Sequence, residues 1–515
     1  MKSTDFLVLR QKCDDWLRDG QVNNVVRALK GINTAKIPRV ERVRLAAIAR
    51  RANLTDLALR ILFPIADGSG TDAEMAEYGL LLHHVGSTTE GLAVLRTVDT
   101  KIVPEALLYT SFCHFSRWEY ASAVPLLESY LNTPDMTTYA WAVGSLNLAS
   151  AYVTLCEDEA AIHHLAHLEQ YLRDHKYLRL LANALELRSQ VDIRNQQFEK
   201  AESRLSEAAA ILAQSQTFDQ LFVEKWQSVL QSIRDHDARW LHEFREKARR
   251  RLHWESVREA DFFLAKIFCD TRLFRVLHFG TPYANYRKRL QELGMPFDPG
   301  SEFLLVCGNN TRGGSAAHAE GTDFVGGGTD LGEHGPLLDL SSGELDGRNF
   351  LNPGKSIHRF LGLLFSDFYR PFRLGTIFSA LFPQEKFDIF TTPRRIHQVV
   401  FRSRELLAMH KAPVQIVETD GSYHFSLQGD ARIRIPGEGI VESSRDMLLE
   451  RLHAVVGDRM FSAREARAMF NLPVSSLNLA LKHGMTCGTL RQLGQGPKTQ
   501  YQFVTEESRL IQRVG

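Results

Sequence analysis

The chain of 515 residues contains little cysteine and no long apolar run. Its six cysteines are scattered and form no Cys-x-x-Cys pair, which argues against a disulfide framework or a zinc site and favours reduced thiols. The N-terminal segment lacks the apolar core of a secretory signal, and no run approaches the roughly 18 apolar residues of a membrane span. The sequence therefore predicts a cytoplasmic protein without a membrane segment.

Complete catalytic and nucleotide-binding motifs are also missing. The stretch NPGKS at 352–356 resembles the end of a phosphate-binding loop, but Asn349 stands where that loop requires glycine. No strand-to-helix GxGxxG follows the Gly-rich stretch at 309–335. This stretch is too poor in apolar residues to pack and is predicted to be a mobile loop or linker. His163 and His167 have a spacing that can bind zinc, yet no third ligand is placed, so packing or solvent-facing histidines are expected. We predict a protein that is not an enzyme and holds neither metal nor cofactor.

Charge is nearly balanced over the chain but unevenly distributed along it. The formal net charge is +1. From Lys355 to Lys411, ten Lys and Arg oppose four Asp and Glu, and from Ile440 to the end ten oppose seven. The remaining, larger part is acidic. This asymmetry predicts an anionic partner for the C-terminal part.

Residues 1–295 consist of amphipathic runs with a loose repeat of about 30 to 40 residues. Six segments look like the turn between two antiparallel helices followed by the second helix: GQVNNVVRAL, ANLTDLALRIL, GSTTEGLAVL, SRWEYASAVPLL, CEDEAAIHHLAHL and NQQFEKAESRL. A small or β-branched residue recurs near the start of that second helix: Val25, Ala58, Gly91, Ala121, Ala161 and Ala201. Small residues let paired helices approach closely, and each pair must stack on its neighbour to bury its apolar face.

This pattern resembles tetratricopeptide repeats, whose unit is about 34 residues. Pro125 departs from the family's pattern, and the later units are longer. The resemblance implies a curved α-solenoid whose concave face binds a protein, a peptide or a small ligand. A plain helical scaffold or a dimerisation arm is the alternative. The basic run at 245–254 is expected to be a solvated helix face rather than a nucleic-acid contact.

The segment from Pro336 to Leu427 predicts three helices followed by a β-hairpin. Two short strand pieces precede a first helix with an apolar stripe: Ile357, Phe360, Leu361 and Leu364. A short second helix ends at Pro383. The third helix is predicted in TTPRRIHQVVFRSRELL, at 391–407, with its own stripe: Ile396, Val399, Val400, Ser403 and Leu407. The next segment alternates, turns at Asp420-Gly421 and returns, which is typical of a hairpin.

These segments resemble the DNA-binding domain of the OmpR/PhoB family. IHQVVFRSRELL follows the family's recognition helix, Arg402 and Arg404 match its R-x-R motif, and IVETDGSYHFSL follows its wing. The resemblance implies a winged helix-turn-helix that binds promoter DNA, often in head-to-tail pairs, which leaves a homodimer open. Two departures are that Ser403 replaces an expected apolar residue and that the wing lacks the family's GxGY. No receiver-like domain precedes it, so phosphorelay control is not implied.

Polar side chains of the third helix are the candidates for contact with double-stranded DNA: Arg394, Arg395, His397, Gln398, Arg402 and Arg404. The arginines suit phosphate positioning and guanine readout, and His397 and Gln398 suit base edges. A module of the same fold that binds protein instead of DNA is the alternative.

Residues 440–515 predict a second winged helix. An amphipathic helix is followed by FSAREARAMFNLPVSSLNLALKHG, in which Ser462 and Glu465 have the spacing of a capping box, and by a hairpin with a Gly-rich tip. The segment resembles generic bacterial winged-helix repressor domains. Its DNA-contact candidates are Ser475, Ser476, Asn478, Lys482, Arg491 and Lys498. Its weak charge leaves protein contact or dimerisation open.

The predicted fold is multidomain and mainly α: an α-solenoid of helical hairpins over 1–295, then two α+β winged helix-turn-helix domains over 300–430 and 440–515. The predicted function is a bacterial DNA-binding transcriptional regulator whose solenoid senses a protein or ligand. The alternative is a non-enzymatic adaptor whose winged helices bind proteins.

Overall fold

The computed structural model describes most of the chain: residues 3–18, 21–66, 68–213, 219–293, 302–307, 325–326, 335–437, 444–470, 474–494, 496 and 499–504. The Gly-rich stretch predicted to be a mobile loop or linker at 309–335 therefore lies almost wholly outside the described residues. None of the helices in the described ranges is long and apolar enough to span a membrane.

The first part of the chain is an array of stacked helical hairpins. Its helices are α1 (Ser3–Arg18), α2 (Val22–Leu29), α3 (Arg39–Arg51), α4 (Thr55–Leu62), α5 (Asp72–His84), α6 (Thr88–Leu95), α7 (Glu105–Phe115), α8 (Tyr120–Leu131), α9 (Thr138–Thr154), α10 (Asp158–Asp174), α11 (Leu178–Arg194), α12 (Phe198–Leu212), α13 (Asp219–Asp235), α14 (Arg239–Arg250), α15 (Trp254–Phe268), α16 (Thr271–Phe279) and α17 (Ala284–Leu293). Sequential helices contact one another, and many also contact the helix two places on, as α1, α3, α5, α9, α11 and α13 do. Stacking of this kind gives each hairpin a neighbour that covers its apolar face. The prediction of a hairpin array is confirmed.

The recurring small residue is the fourth residue of the second helix in a hairpin. Five of the six predicted positions are buried there: Val25, Ala58, Gly91, Ala161 and Ala201. The sixth prediction is wrong, because Ala121 is exposed. Helix α8 begins at Tyr120, so its fourth residue is Ala123, which is fully buried. The repeat pattern in the sequence places this position two residues too early.

The basic run at 245–254 is largely neutralised by acidic residues of the array. Arg245 is mostly buried and its Nε lies 2.6 Å from Asp261, which corrects the expectation of a wholly solvated face. Lys247 pairs with Glu224 at 2.7 Å. Arginines whose carboxylate partners are supplied internally are poorly suited to phosphate.

The described residues at 302–307, 325–326 and 335–437 form a second unit, here called the α/β unit. Its elements are β1 (Glu302–Cys307), β2 (Val325–Gly326), β3 (Leu337–Asp339), β4 (Glu344–Leu345), β5 (Arg348–Asn349), α18 (Ser356–Leu364), β6 (Phe372–Arg373), α19 (Leu374–Leu381), α20 (Thr392–Met409), β7 (Val414–Thr419), β8 (Ser422–Leu427) and β9 (Ala431–Pro436). One sheet has the order β2-β1-β9-β3-β4-β5, with β9 antiparallel to β1 and parallel to β3. A second sheet has the order β6-β8-β7. The three predicted helices and the hairpin after them are confirmed.

The hairpin β7–β8 turns at the two predicted residues. Asp420 and Gly421 have φ of 50° and 72°. A two-residue turn with positive φ at both positions matches the right-handed twist of the flanking strands, and an Asp-Gly pair tolerates it. Strand β6 extends the hairpin by pairing Phe372 with Tyr423.

Helix α20 buries four of the five residues in its predicted stripe: Ile396, Val400, Ser403 and Leu407. The fifth, Val399, is only partly buried, and Thr392 at the first turn is buried in addition. Ser403 occupies the position where an apolar residue was expected. Its hydroxyl donates to the carbonyl oxygen of Val399 at 2.8 Å, so a polar side chain is satisfied within its own helix.

Residues 444–504 form a C-terminal unit with its own apolar core. It contains α21 (Ser444–Val456), α22 (Ala463–Phe470), α23 (Val474–Thr486), β10 (Leu490–Leu493) and β11 (Gln500–Phe503). The predicted capping box is present, because Glu465 N–H donates to Ser462 Oγ at 3.2 Å and Ser462 N–H donates to Glu465 Oε2 at 2.7 Å. This pairing fixes the start of α22.

Gly91 tests the close approach of paired helices. An added Cβ would lie 2.7 Å from the carbonyl oxygen of Gly79 on α5, so Gly91→Ala must force α5 and α6 apart. We expect a loss of about 1–3 kcal/mol in the free energy of unfolding, measured from the urea midpoint followed by circular dichroism. Gly31→Ala is the control, because nothing lies within 4 Å of its Cβ position. Equal midpoints for the two variants would contradict the close approach.

Candidate nucleic-acid interface

Helix α20 carries six of the twelve residues predicted to contact DNA. Arg394, His397, Gln398, Arg402 and Arg404 are exposed, and Arg395 is half-buried. The helix rests on the core of the α/β unit through its buried stripe, so its outer face is turned to solvent.

Phe401 was not among the predicted site residues, although it belongs to the same face. Its side chain is 61% exposed, and it follows Arg394 by seven residues and Gln398 by three. Residues at those spacings share one helix face. The signal available in the sequence was therefore a large aromatic residue in register with the polar residues rather than with the apolar stripe.

The four arginines of α20 differ in whether they form ion pairs or hydrogen bonds with other residues of the protein. Arg394 and Arg402 form no ion pair with any residue that the structure describes. Arg395 pairs with Glu385 and lies 4.1 Å from the ring centroid of Phe382. The hydrogen bond with Glu385 raises the pKa of Arg395, and the carboxylate already neutralises its charge. Two arginines are thus available to an external anion, and Arg395 is not.

Arg404 and His397 connect α20 to the hairpin. Arg404 Nε donates to the carbonyl oxygen of Ile416 at 3.1 Å, and His397 Nδ1 lies 2.9 Å from the hydroxyl of Tyr423. Both side chains remain exposed, so each can still meet a ligand at its other atoms. Their internal bonds fix the angle between helix and hairpin.

The tip of the hairpin has the opposite charge to the helix. Strands β7 and β8 contain no Lys or Arg, and Glu418 and Asp420 are exposed at the turn. Carboxylates repel phosphate, so this hairpin offers backbone N–H groups and hydroxyls rather than cations to a DNA backbone.

The C-terminal unit presents four of its six candidates on α23. Ser475, Ser476, Asn478 and Lys482 are all exposed. Arg491 on β10 is exposed and its Nη2 donates to Gln502 Oε1 at 2.7 Å. The last of the predicted DNA contacts, Lys498, lies outside the described residues.

A buried ion pair joins the α/β unit to the helical array. Arg258 on α15 is 0% exposed, and its Nη2 donates to Asp367 Oδ1 at 2.7 Å and Oδ2 at 2.9 Å. The rings of Tyr283, Tyr286 and Tyr369 surround the guanidinium with centroids 5.2 to 5.7 Å away. Burial alone would lower the pKa of Arg258, but Asp367, Glu255 and the neighbouring tyrosines together outweigh it, and the pKa is raised well above its usual value.

Further contacts lie beside the Arg258–Asp367 ion pair, and together with it they form the first junction between the array and the α/β unit. The hydroxyl of Tyr369 donates to Asp261 Oδ2 at 2.9 Å, which ties the loop after α18 to α15 a second time. Phe368 N–H donates to the carbonyl oxygen of Gly280 at 3.1 Å. A Cβ on Gly280 would lie 2.3 Å from the Phe368 ring, so this approach requires glycine.

A second junction lies at the turn between α5 and α6. Gly375 N–H donates to the carbonyl oxygen of Val85 at 3.0 Å, and the hydroxyls of Ser87 and Ser379 lie 2.9 Å apart. Glu90 Oε2 accepts from Phe387 N–H at 2.8 Å. These partners are about 290 residues apart in the chain, and the sequence contains no local signal that would pair them.

A large cavity opens on the array between α7 and α15, beside the first junction. Its volume is about 990 Å³ and its wall includes aromatic side chains and charged ones. Among the charged residues of the wall are Glu186, Lys225, Glu255, Arg289 and Arg370. A concave, largely apolar site with a few polar groups is the usual form of a ligand site.

Histidines and thiols form no metal site in the described ranges, where no three His, Cys, Asp or Glu residues are arranged to hold an ion. His163 and His167 contact each other edge to face, with ring centroids 4.8 Å apart. The free thiols in the described part are Cys13, Cys113, Cys156, Cys269 and Cys487.

Comparison with known proteins gives only distant likenesses. No protein family's sequence profile and no curated protein matches this chain. A tetratricopeptide repeat protein from Parabacteroides merdae ATCC 43184 is 14% identical, with a TM-score of 0.34 over 48% of this chain and 92% of that one. A Rap protein complexed with Competence and Sporulation Factor is 12% identical, with a TM-score of 0.36 over 56% and 87%. At these scores neither likeness carries a functional conclusion, and the helical array is described from its own contacts.

Removing Arg258 is expected to destabilise the junction strongly. Arg258→Met leaves Asp367 buried without its cation, which costs about 3–5 kcal/mol in the free energy of unfolding. The double variant Arg258→Met/Asp367→Asn removes both charges and is expected to recover part of that loss. Urea unfolding of the full chain measures both. A single variant as stable as the native protein would contradict a buried, desolvated pair.

Acid is expected to weaken the second junction. Burial lowers the pKa of His83 to about 3 and of His84 to about 4, and Arg373 contributes to both. Unfolded histidines protonate near pH 6.5, so this stabilisation is fully present above that pH and is lost as the pH falls towards 4. Between pH 7 and 5, His84→Asn should lose less stability than the native protein does. The control variant His167→Asn changes an exposed histidine, and over the same pH range it should lose as much stability as the native protein does.

Proposed function

We propose that this chain is a cytoplasmic, non-enzymatic transcriptional regulator that binds promoter DNA through α20 and senses a protein, peptide or small ligand on its helical array. The observation that carries the proposal is the outer face of α20, where Arg394, Gln398 and Arg402 are exposed together and the two arginines have no described ionic partner. The order α18, β6, α19, α20 and hairpin matches that of a winged helix-turn-helix, whose third helix enters the major groove.

The side chains on this face have complementary roles in the proposal. Arg394 and Arg402 supply charge for phosphate contacts or bidentate bonds to guanine, and Gln398 suits adenine. Phe401 suits contact with a thymine methyl group. Arg395 is assigned a supporting role, because Glu385 already neutralises it.

The C-terminal unit is proposed to be a second winged helix that extends the same DNA interface. Support comes from α23, where Ser475, Asn478 and Lys482 lie on one face at three- and four-residue spacing. A single cation on that helix makes the expected contribution to affinity small. Protein contact or dimerisation through this unit is the alternative.

An adaptor without DNA binding is the second candidate function. It is favoured by the exposed apolar side chains along α20, Phe401 and Met409, and by the carboxylates at the hairpin tip. Exposed aromatic residues are common at protein interfaces. The two functions differ in electrostatics, since only DNA binding requires affinity that falls steeply with salt.

A salt series from about 50 to 200 mM decides between them. The full-length protein is bound to fragments of its own genome, beside Arg394→Ala/Arg402→Ala and the control Arg395→Ala. We expect a few discrete fragments and affinity that falls steeply with salt. The slope of the double variant should be shallower by about one for each phosphate that it no longer binds. The control should keep the native slope.

The opposite result would identify the adaptor. Weak binding without fragment preference, unchanged when Arg394 and Arg402 are replaced, would leave α20 as a protein-binding face. A salt slope that is the same in the native protein, the double variant and the control would equally argue against phosphate contacts by these two arginines.

A further inference from the structure

Two side chains of opposite charge, Lys225 and Glu186, are buried in the wall of the cavity. Neither forms a direct ion pair with a described residue, although the charge of Lys225 acts on Glu186 through space. Lys225 on α13 is 8% exposed, and its ammonium has no hydrogen bond or ion pair with a described residue. It lies 5.1 Å from the ring centroid of Trp226 and 5.7 Å from that of Phe222. Glu186 on α11 is 6% exposed and accepts a hydrogen bond from Gln190 at 2.8 Å. A buried ammonium without an acceptor is unfavourable unless a ligand or water supplies one.

The charge that remains unneutralised in the cavity is predominantly positive. Two of the carboxylates in the wall already have partners, since Glu255 accepts from Arg258 at 2.9 Å and Glu259 pairs with Arg289 at 2.7 Å. Lys266 on α15 also forms no ion pair with a described residue. Burial raises the pKa of Glu186 and lowers that of Lys266. Among these side chains without a direct ion pair, two lysines stand against one glutamate.

The rest of the wall suits an apolar body. Two aromatic rings, Phe222 and Trp226, lie beside Lys225. Further aromatic side chains line the rest of the cavity: Phe115, Trp118, Tyr120 and Phe262. A volume of about 990 Å³ accommodates a small molecule or a short piece of peptide, and is too small for a folded partner.

We propose that this cavity binds the carboxylate of an amphipathic ligand, with Lys225 as its ionic partner and the aromatic wall around its apolar body. The inference rests on the proposed function, in which the array is the sensor. A free organic acid and the C-terminal carboxylate of a short peptide share this chemistry.

The position of the cavity relates the ligand to the α/β unit. Glu255 and Arg370 line the cavity, and both belong to the junction. Glu255 accepts from Arg258, and the backbone N–H of Arg370 donates to Asp367 Oδ1 at 3.0 Å. A ligand in the cavity is therefore adjacent to the ion pair that holds the two units together.

Calorimetric titration of the full chain tests the proposal. The free-acid probes are indole-3-acetate, octanoate and a tetrapeptide of leucine and phenylalanine with a free C-terminus. Each is compared with its primary amide, which keeps the body and removes the charge. We expect at least one acid to bind about tenfold more tightly than its amide. Which acid binds distinguishes a small organic acid from a peptide end.

Variants of Lys225 test whether its ammonium is the group that binds the carboxylate. Lys225→Met should abolish the preference for acid over amide, and Lys225→Arg should retain it. Lys247→Met, which removes a lysine of the outer surface paired with Glu224, should behave as the native protein does. Circular dichroism confirms that each variant is folded.

Three outcomes would overturn the inference: equal binding of acid and amide, an unchanged preference in Lys225→Met, or no binding of any acid at millimolar concentration. DNA binding of the same preparations is measured separately. If the protein binds DNA but no acid, only the proposal of a carboxylate site is refuted. If it binds an acid but no DNA, only the proposed function as a DNA-binding regulator is refuted.

Discussion

The buried ion pair between Arg258 and Asp367 is the contact on which the arrangement of the two larger units depends. A fully buried guanidinium requires its carboxylate, because separating them leaves a charge in a medium of low polarity. Asp367 also accepts the backbone N–H groups of Tyr369 and Arg370, each at 3.0 Å, so it folds the loop after α18 as well. One carboxylate thus shapes this loop and attaches it to the array. The ring of Phe365, in the same loop, stacks on that of Phe425 in β8, so the loop also packs against the hairpin.

This docking explains how one surface can remain available while much of the α/β unit is covered. The array holds the loop after α18 at one junction and the start of α19 at the other, through Val85 and Gly375. Helix α20 uses its apolar stripe for the core of its own unit, and its opposite face stays exposed. Arg395 bonds to Glu385 in the loop before α20, and Arg404 bonds to Ile416 of the hairpin. Arg394 and Arg402 have no described ionic partner.

The proposed sensor cavity borders the junction that attaches the α/β unit, and that unit carries the proposed DNA site. The cavity wall contains Glu255 and Arg370, which contact Arg258 and Asp367 directly. Coupling between two sites requires an element that both can bias, and the junction is the element that these contacts identify.

The sequence by itself determined the local features of this protein. Helical periodicity predicted the hairpin array and the buried stripe of α20, Asp420-Gly421 predicted the turn, and Ser462 with Glu465 predicted a helix start, because each depends on neighbours a few residues away. Only the tertiary structure decided that Ala123 rather than Ala121 lies between paired helices, that Arg395 is neutralised, and that Lys225 is buried without an ionic partner among the described residues. It also decided the pairing of Arg258 with Asp367, 109 residues later. Such contacts depend on how distant segments pack together, and a local sequence pattern does not predict which distant residue a side chain will contact.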